Sequence, residues 1–278
     1  MNRSSASSAD RLNRAAKALA LCVLADSAIE HYRGSFHNRA MLAPLISATL
    51  EVATGVRGPT RGGSSGHWRS AAHALAIATG LIGTAFHAYN ITKRSGGVSF
   101  LNLFYAAPIG APAALVFSGL LGAAAQRIAQ ADPSRGNGSS RPPRLAYLPA
   151  GKALAALTGA GIAGSVAEAA LLHFRGAYHN PAMYLPVVVP PAAAAMLGYG
   201  AISSSPRIAR WTRRVLRAVG ALGIVGAAFH AVGLSRGMGG VRNWTQNLLN
   251  GPPLPAPPSF TALALAGLVA LELQEAER

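Results

Sequence analysis

The eight residues HYRGSFHN at positions 31–38 occur again, nearly unchanged, as HFRGAYHN at positions 173–180. The two copies are 142 residues apart and agree at the His, Arg, Gly, His and Asn positions. A comparison of the chain with itself extends the similarity, since GLIGTAFHA at 80–88 matches GIVGAAFHA at 223–231. The sequence therefore predicts two related halves, each carrying the same histidine-bearing segment.

The composition is typical of a membrane protein. Of the 278 residues, 51% are hydrophobic and 12% are charged, whereas soluble domains carry about 25% charged residues. Eight apolar segments are long enough, or nearly so, to cross a hydrocarbon core of about 30 Å. They run near 15–32, 40–56, 70–92, 103–126, 153–174, 182–203, 215–235 and 259–275. We expect an all-α integral membrane protein of about eight transmembrane helices.

The repeat divides these helices into two equal sets. The polar, turn-rich stretch DPSRGNGSSRPPR at 132–144 is typical of a linker. The sequence predicts a tandem duplication of a four-helix unit, with the first repeat at 1–131 and the second at 145–278. PIGAP at 108–112 and the similar PLPAP at 253–257 fall late in each repeat. Because four is even, both repeats have the same orientation, with a parallel pseudo-twofold axis along the membrane normal.

The distribution of positive charge predicts the orientation. With the N-terminus inside, 18 of the 25 Lys and Arg residues fall on the inner side or the first helix's inner end, as the positive-inside rule requires. We therefore expect a multi-pass protein of a bacterial inner membrane, with both termini and the 132–144 linker cytoplasmic. Both histidine-bearing segments then lie on the outer, periplasmic side. The basic residues occur in short clusters between apolar stretches, which argues against nucleic acid as a partner.

Each half retains the same set of ionisable and polar residues: one carboxylate, three histidines, one arginine and one asparagine. Such residues are costly within membrane segments and usually face the bundle interior or a cavity. Imidazole and carboxylate together suit Fe, Cu, Zn or Mn, and two histidines suffice for haem b. The candidate metal ligands are Asp26, His31, His37 and His87 in the first half and Glu168, His173, His179 and His230 in the second. The candidate cofactor-binding residues are Arg33, Asn38, Arg175 and Asn180.

Two geometric expectations follow from helical periodicity. Gly80, Gly83 and His87 are spaced by three and four residues, so they share one face, and the small residues allow a neighbouring helix to approach. Asp26 and His31 are five residues apart, about 140° around a helix, and they converge only if the first helix ends or distorts early.

The sequence leaves three functions open. The first is redox or electron-transfer chemistry at two metal or haem sites, with a periplasmic redox partner or a quinone as partner beside the lipid bilayer. The second is a transporter or proton-coupled carrier with its pathway between the repeats. The third is a non-catalytic assembly subunit, in which the histidines form only a hydrogen-bonded network. No catalytic motif decides whether the protein is an enzyme. Glu51 and His73 have no ionisable counterpart in the second half, and we interpret His73 as incidental.

Overall fold

The computed structural model describes residues 5–55, 63–106, 108–131, 143–203 and 205–278, and nearly all of its regular structure is helical. The α-helices are α1 Ser5–Arg33, α2 Ala43–Thr54, α3 Gly63–Thr92, α4 Phe100–Tyr105, α5 Gly110–Ala131, α6 Ala150–Arg175, α7 Leu185–Ile202, α8 Pro206–Ser235, α9 Trp244–Asn250 and α10 Pro258–Ala276. Short 3-10 helices occur at Arg39–Leu42, Pro181–Tyr184 and Gly240–Asn243. Strand β1 (Arg144–Leu145) pairs antiparallel with β2 (Leu148–Pro149).

Six helices of the described chain are long and apolar enough to cross a membrane. They comprise most of α3, then α5, α6, α7 with the 3-10 turn before it, α8 and α10. These helices indicate an all-α, multi-pass membrane protein. The predicted segments at 15–32 and 40–56 are not among the six. The first lies within α1, which carries several charged residues, and the second corresponds to α2, whose 12 residues span only about 18 Å. The count of eight stays a prediction.

The prediction of a single helix at 103–126 is wrong, because the helix is interrupted there. Helix α4 ends at Tyr105 and α5 begins at Gly110. Pro108 lies in this break. Proline has no backbone N–H, and it disfavours helical geometry at the residue before it. A similar interruption separates α9 from α10, where PLPAP at 253–257 precedes the second helix.

The larger of two clusters of buried hydrophobic residues in the described part of the chain extends through both halves. It contains Leu12 and Leu19 of α1, Leu121 of α5, Leu154 of α6 and Leu263 of α10, all at most 2% exposed. Within each half, α5 packs on α1 and α3, and α10 packs on α6 and α8. Between the halves, α1 contacts α10 and α5 contacts α6. The histidine-bearing turns follow α1 and α6, at the ends of two helices that this core holds in place.

Candidate histidine sites

The histidines at the ends of α1 and α6 have the same hydrogen bond. His31 donates from Nδ1 to the carbonyl of Met41 at 2.6 Å, and His173 donates from Nδ1 to the carbonyl of Met183 at 2.7 Å. Both side chains are half-buried. A neutral imidazole that donates from Nδ1 carries its lone pair on Nε2. Each ring is therefore anchored on one side and able to bind a ligand on the other.

The histidines of α3 and α8 are anchored in the same way. His87 donates from Nδ1 to the carbonyl of Pro108 at 2.6 Å, and His230 donates from Nδ1 to the carbonyl of Pro253 at 2.8 Å. These prolines are the first residues of PIGAP and PLPAP. The similarity of these two motifs therefore has a physical meaning, since each supplies the acceptor for the helix histidine of its own half.

The helix glycines beside these histidines confirm the predicted packing face. A Cβ atom on Gly83 would lie 3.1 Å from Pro112 Cβ, and one on Gly226 would lie 2.9 Å from Pro257 Cβ. Both prolines are at the start of the next long helix, α5 or α10. The glycines let α5 and α10 approach closely enough for the preceding proline carbonyl to meet the imidazole.

The anchored histidines form one pair in each half. His31 and His87 are close enough to interact electrostatically, and the same is true of His173 and His230. The two members of each pair come from different helices and use different backbone acceptors. In each half, two imidazoles whose Nδ1 atoms are already occupied therefore lie within electrostatic range of each other.

The remaining histidines hold the turns. His37 donates from Nδ1 to the carbonyl of Gly34 at 3.0 Å, and His179 to that of Gly176 at 2.9 Å. Both are exposed. Their hydrogen bonds close tight turns beyond the ends of α1 and α6, as the backbone bond from each histidine to the same glycine carbonyl also does.

The backbone of the two turns is unusual and nearly identical. Ser35 and Phe36 have φ values of 55° and 45°, and Ala177 and Tyr178 have values of 54° and 46°. Consecutive non-glycine residues in the left-handed region are strained and cluster at functional sites. The strain brings the aromatic ring of each turn against its histidine, with centroids 6.3 Å apart in the first half and 6.1 Å in the second.

Asn38 and Asn180 cap the 3-10 helices that follow these turns. Their side chains accept hydrogen bonds from the backbone N–H groups of Ala40 and Ala182, each at 2.9 Å. Capping occupies the side-chain oxygen of both asparagines. Their observed contacts hold the turn in shape, which supports the histidine site from outside it.

The carboxylates do not join the histidine pairs. Helix α1 continues without a break to Arg33, so Asp26 and His31 keep their separation around the helix. Asp26 instead interacts electrostatically with Glu30 of its own helix and, more weakly, with Glu168 of the other half. Among the residues that the structure describes, no group of three or more His, Cys, Asp or Glu side chains is positioned to hold a metal ion.

The two arginines differ in their contacts. Arg33 forms an ion pair with Glu30 of its own helix, with N–O distances of 2.7 and 3.0 Å. Arg175 reaches the first half, where it donates from Nη2 to the carbonyls of Leu103 at 3.4 Å and Ala106 at 3.3 Å. The second half thus contributes a positive charge to the broken helix of the first.

A second buried polar cluster was missed by the sequence interpretation. Glu51 and His73 are 1% and 3% exposed, and their carboxylate oxygens and Nδ1 are 2.8 and 3.0 Å apart. Arg69, 3% exposed, donates to the carbonyl of Thr54 at 2.8 Å beside them. Two ionisable residues in adjacent apolar segments are the signal that could have found the cluster. The second half does not repeat this cluster, so a comparison of the two halves does not reveal it.

No protein-family model, curated protein sequence or solved structure matches the chain.

Proposed function

We propose that this protein is an integral membrane protein of two tandem four-helix units, each binding a haem or transition metal between two histidines near the outer face. The observation that carries the proposal is the anchoring of the paired histidines. Histidines that bind metals almost always donate their other ring N–H to a carboxylate, a backbone carbonyl or water. His31 and His87 meet this condition in the first unit, and His173 and His230 meet it in the second.

The donor set fits haem b better than a bare ion. Haem b needs no more than two protein ligands, and in each unit the two anchored imidazoles from different helices would hold it. A transition metal held by three protein donors would need another ligand besides the pair, and the described residues place no group of three or more His, Cys, Asp or Glu side chains where it could hold a metal ion. Haem supplies one-electron redox chemistry when it is bound. The protein's part is to orient the imidazoles through their Nδ1 hydrogen bonds.

The tandem arrangement is supported by the recurrence of whole hydrogen-bond patterns. The turns after α1 and α6 share their helix-ending bonds, their left-handed residues, their asparagine cap and their histidine anchor. The positive-inside distribution places both pairs toward the periplasm, where a redox partner could exchange electrons with them. Helices α1 and α2, which are not among the six candidate spans, correspond to α6 and α7 of the second unit and would complete four crossings in the first.

A carrier is the second candidate, and one observation favours it. Asp26 and Glu168 belong to different halves and interact across the contact between them. A carboxylate pair between two repeats is a common element of proton-coupled pathways. Transport into liposomes that Asp26→Asn abolishes without loss of the fold would support this candidate, whereas electron transfer does not require Asp26.

The test is a visible spectrum together with elemental analysis of protein purified in mild detergent without chelator. We expect about two haems or metals per chain in the wild type, about one after His87→Ala or His230→Ala, and none in the double variant. His37→Ala and His179→Ala are matched controls, because these histidines hold exposed turns and should leave both cofactors in place. Circular dichroism confirms that each variant is folded. A colourless, metal-free wild type would overturn the proposal.

A further inference from the structure

We propose that Arg175 and Glu168 bind the head group of a membrane-soluble quinol at the contact between the two halves. The site lies beside the break between α4 and α5, whose Pro108 carbonyl anchors His87. The inference rests on the proposed function for its role, since a quinol is a membrane-soluble carrier of electrons. Its geometry depends only on contacts that need no cofactor.

Glu168 and Arg175 each carry one hydrogen-bonding atom that is not used. Glu168 Oε1 and Arg175 Nε are both buried and have no hydrogen-bond partner among the described residues. The rest of each group is engaged, because Glu168 accepts from the backbone N–H of Gly110 and Arg175 donates to Leu103 and Ala106. Buried polar atoms without partners are rare and costly. One unused acceptor and one unused donor on the same helix are suited to a ligand that can both donate and accept.

The two residues lie on the same side of α6, so a ligand with two oxygen atoms can approach both. Glu168 and Arg175 are seven residues apart, so they share one face of α6 about two turns apart, and their charged groups interact electrostatically. A hydroquinone ring carries a hydroxyl at each end. One hydroxyl can donate to Glu168 Oε1, and the other can accept from Arg175 Nε.

An aromatic cluster lies next to Arg175. The Arg175 guanidinium lies 5.3 Å from the centre of the Phe104 ring. Phe100, Tyr105 and Phe174 surround Phe104 and are 65%, 64% and 55% exposed. Phe104 meets Tyr105 and Phe174 edge to face, with interplanar angles of 83° and 84°. This arrangement leaves ring faces uncovered, on which a flat ligand ring can stack.

The corresponding arginine of the first half is engaged differently, so there is one such site per chain. Its corresponding arginine, Arg33, is already paired with Glu30, whereas the position corresponding to Glu30 in the second half is Leu172. The absence of an acidic neighbour at position 172 leaves Arg175 free to reach across to α4. A phospholipid head group could use the arginine, but it gains nothing from the ring faces.

The experiment measures the binding of a short-chain benzoquinol to the full-length protein in lipid nanodiscs by isothermal titration. The comparison ligand is the dimethyl ether of the same quinol, which keeps the ring but cannot donate to Glu168. We expect saturable binding of one quinol per chain, at least tenfold tighter than the ether. Phosphatidylglycerol in the nanodisc should not compete. Because this comparison uses the wild type alone, it does not depend on the folding of any variant.

Variants then assign the residues. Glu168→Gln and Arg175→Met should each weaken quinol binding at least tenfold, and Arg33→Met is the matched control that should leave it unchanged. Absence of saturable binding, equal affinity for quinol and ether, or competition by phosphatidylglycerol would overturn the inference. Equal effects of Arg33→Met and Arg175→Met would also overturn it. Quinol binding by a colourless protein would instead reject the haem sites and leave the quinol site standing.

Discussion

The buried pair of Glu51 and His73 leads to a prediction about stability, and the second half of the chain shows which apolar residues can replace the pair. The corresponding residues of the second half are Ala193 and Leu216, and both are fully buried. The second half therefore has buried apolar residues at both corresponding positions. We predict that Glu51→Ala and His73→Leu are each strongly destabilising alone, and that the double variant recovers much of the loss.

The magnitude follows from the burial of the pair. Removing one partner of a buried hydrogen-bonded pair costs about 3–5 kcal/mol, because the remaining group stays buried without a partner. The pair is closely packed by α5, since a Cβ atom on Gly122 would lie 2.5 Å from both Glu51 Oε1 and His73 Nδ1. Replacing both partners with apolar residues removes the unpaired group, and such exchanges are often close to neutral. We expect a coupling energy of at least about 2 kcal/mol between the two substitutions.

The assay is reversible unfolding in mixed micelles by titration with a denaturing detergent, applied to the wild type, both single variants and the double variant. A loss of about 3 kcal/mol should also lower the thermal midpoint by roughly 6–12 °C. Ala193→Gly is a control for a buried, apolar change at the matching place. Strictly additive costs, or single-variant losses below about 1 kcal/mol, would refute the reasoning, because they would mean that the pair does not stabilise the fold as a unit.

Three further predictions concern packing, pH and capping. Gly80→Ala should destabilise the protein by about 1–3 kcal/mol, because the new Cβ atom would lie 2.7 Å from the Pro112 carbonyl. Gly164→Ala, which meets no atom within 4 Å, is the control in the same unfolding assay. Burial raises the pKa of Glu277 above its ordinary value, so its protonation favours the folded state. The wild type should therefore lose stability relative to Glu277→Gln as the pH rises through that raised pKa, and the effect is checked by thermal midpoints across the pH range. Asn180→Ala should cost about 1 kcal/mol through loss of its cap while the visible spectrum is retained.

The repeat made much of the local packing predictable. Comparing the two halves singled out glycines and a histidine on one helix face, and the structure confirms that this face meets α5 and α10. It also singled out PIGAP and PLPAP without giving them a role. Their role could not be predicted, because a backbone carbonyl becomes a hydrogen-bond acceptor through its position in the fold. The identity of the side chain does not reveal that position.

The break in the fourth segment and the position of the carboxylates were harder to predict for different reasons. Transmembrane helices tolerate proline, so Pro108 did not by itself indicate a break. Asp26 was grouped with the histidines because it recurs as a carboxylate in the second half. Whether the Asp26 side chain can face His31 depends on whether α1 continues past Glu30, and a glycine at position 34 is compatible with either outcome.

Residues that recur and residues that differ between the halves serve separate purposes in this structure. The recurring residues build the turns and anchor the paired histidines, and these features are present in each half. The differing ones lie where the units are specialised: Glu51 and His73 bury a polar contact in the first half, and Leu172 leaves Arg175 of the second half free to cross to α4. A pair of identical units would need neither difference. The asymmetry at the broken helix therefore argues that the surroundings of the two histidine pairs are not equivalent, and that His87 is the histidine next to the proposed quinol site.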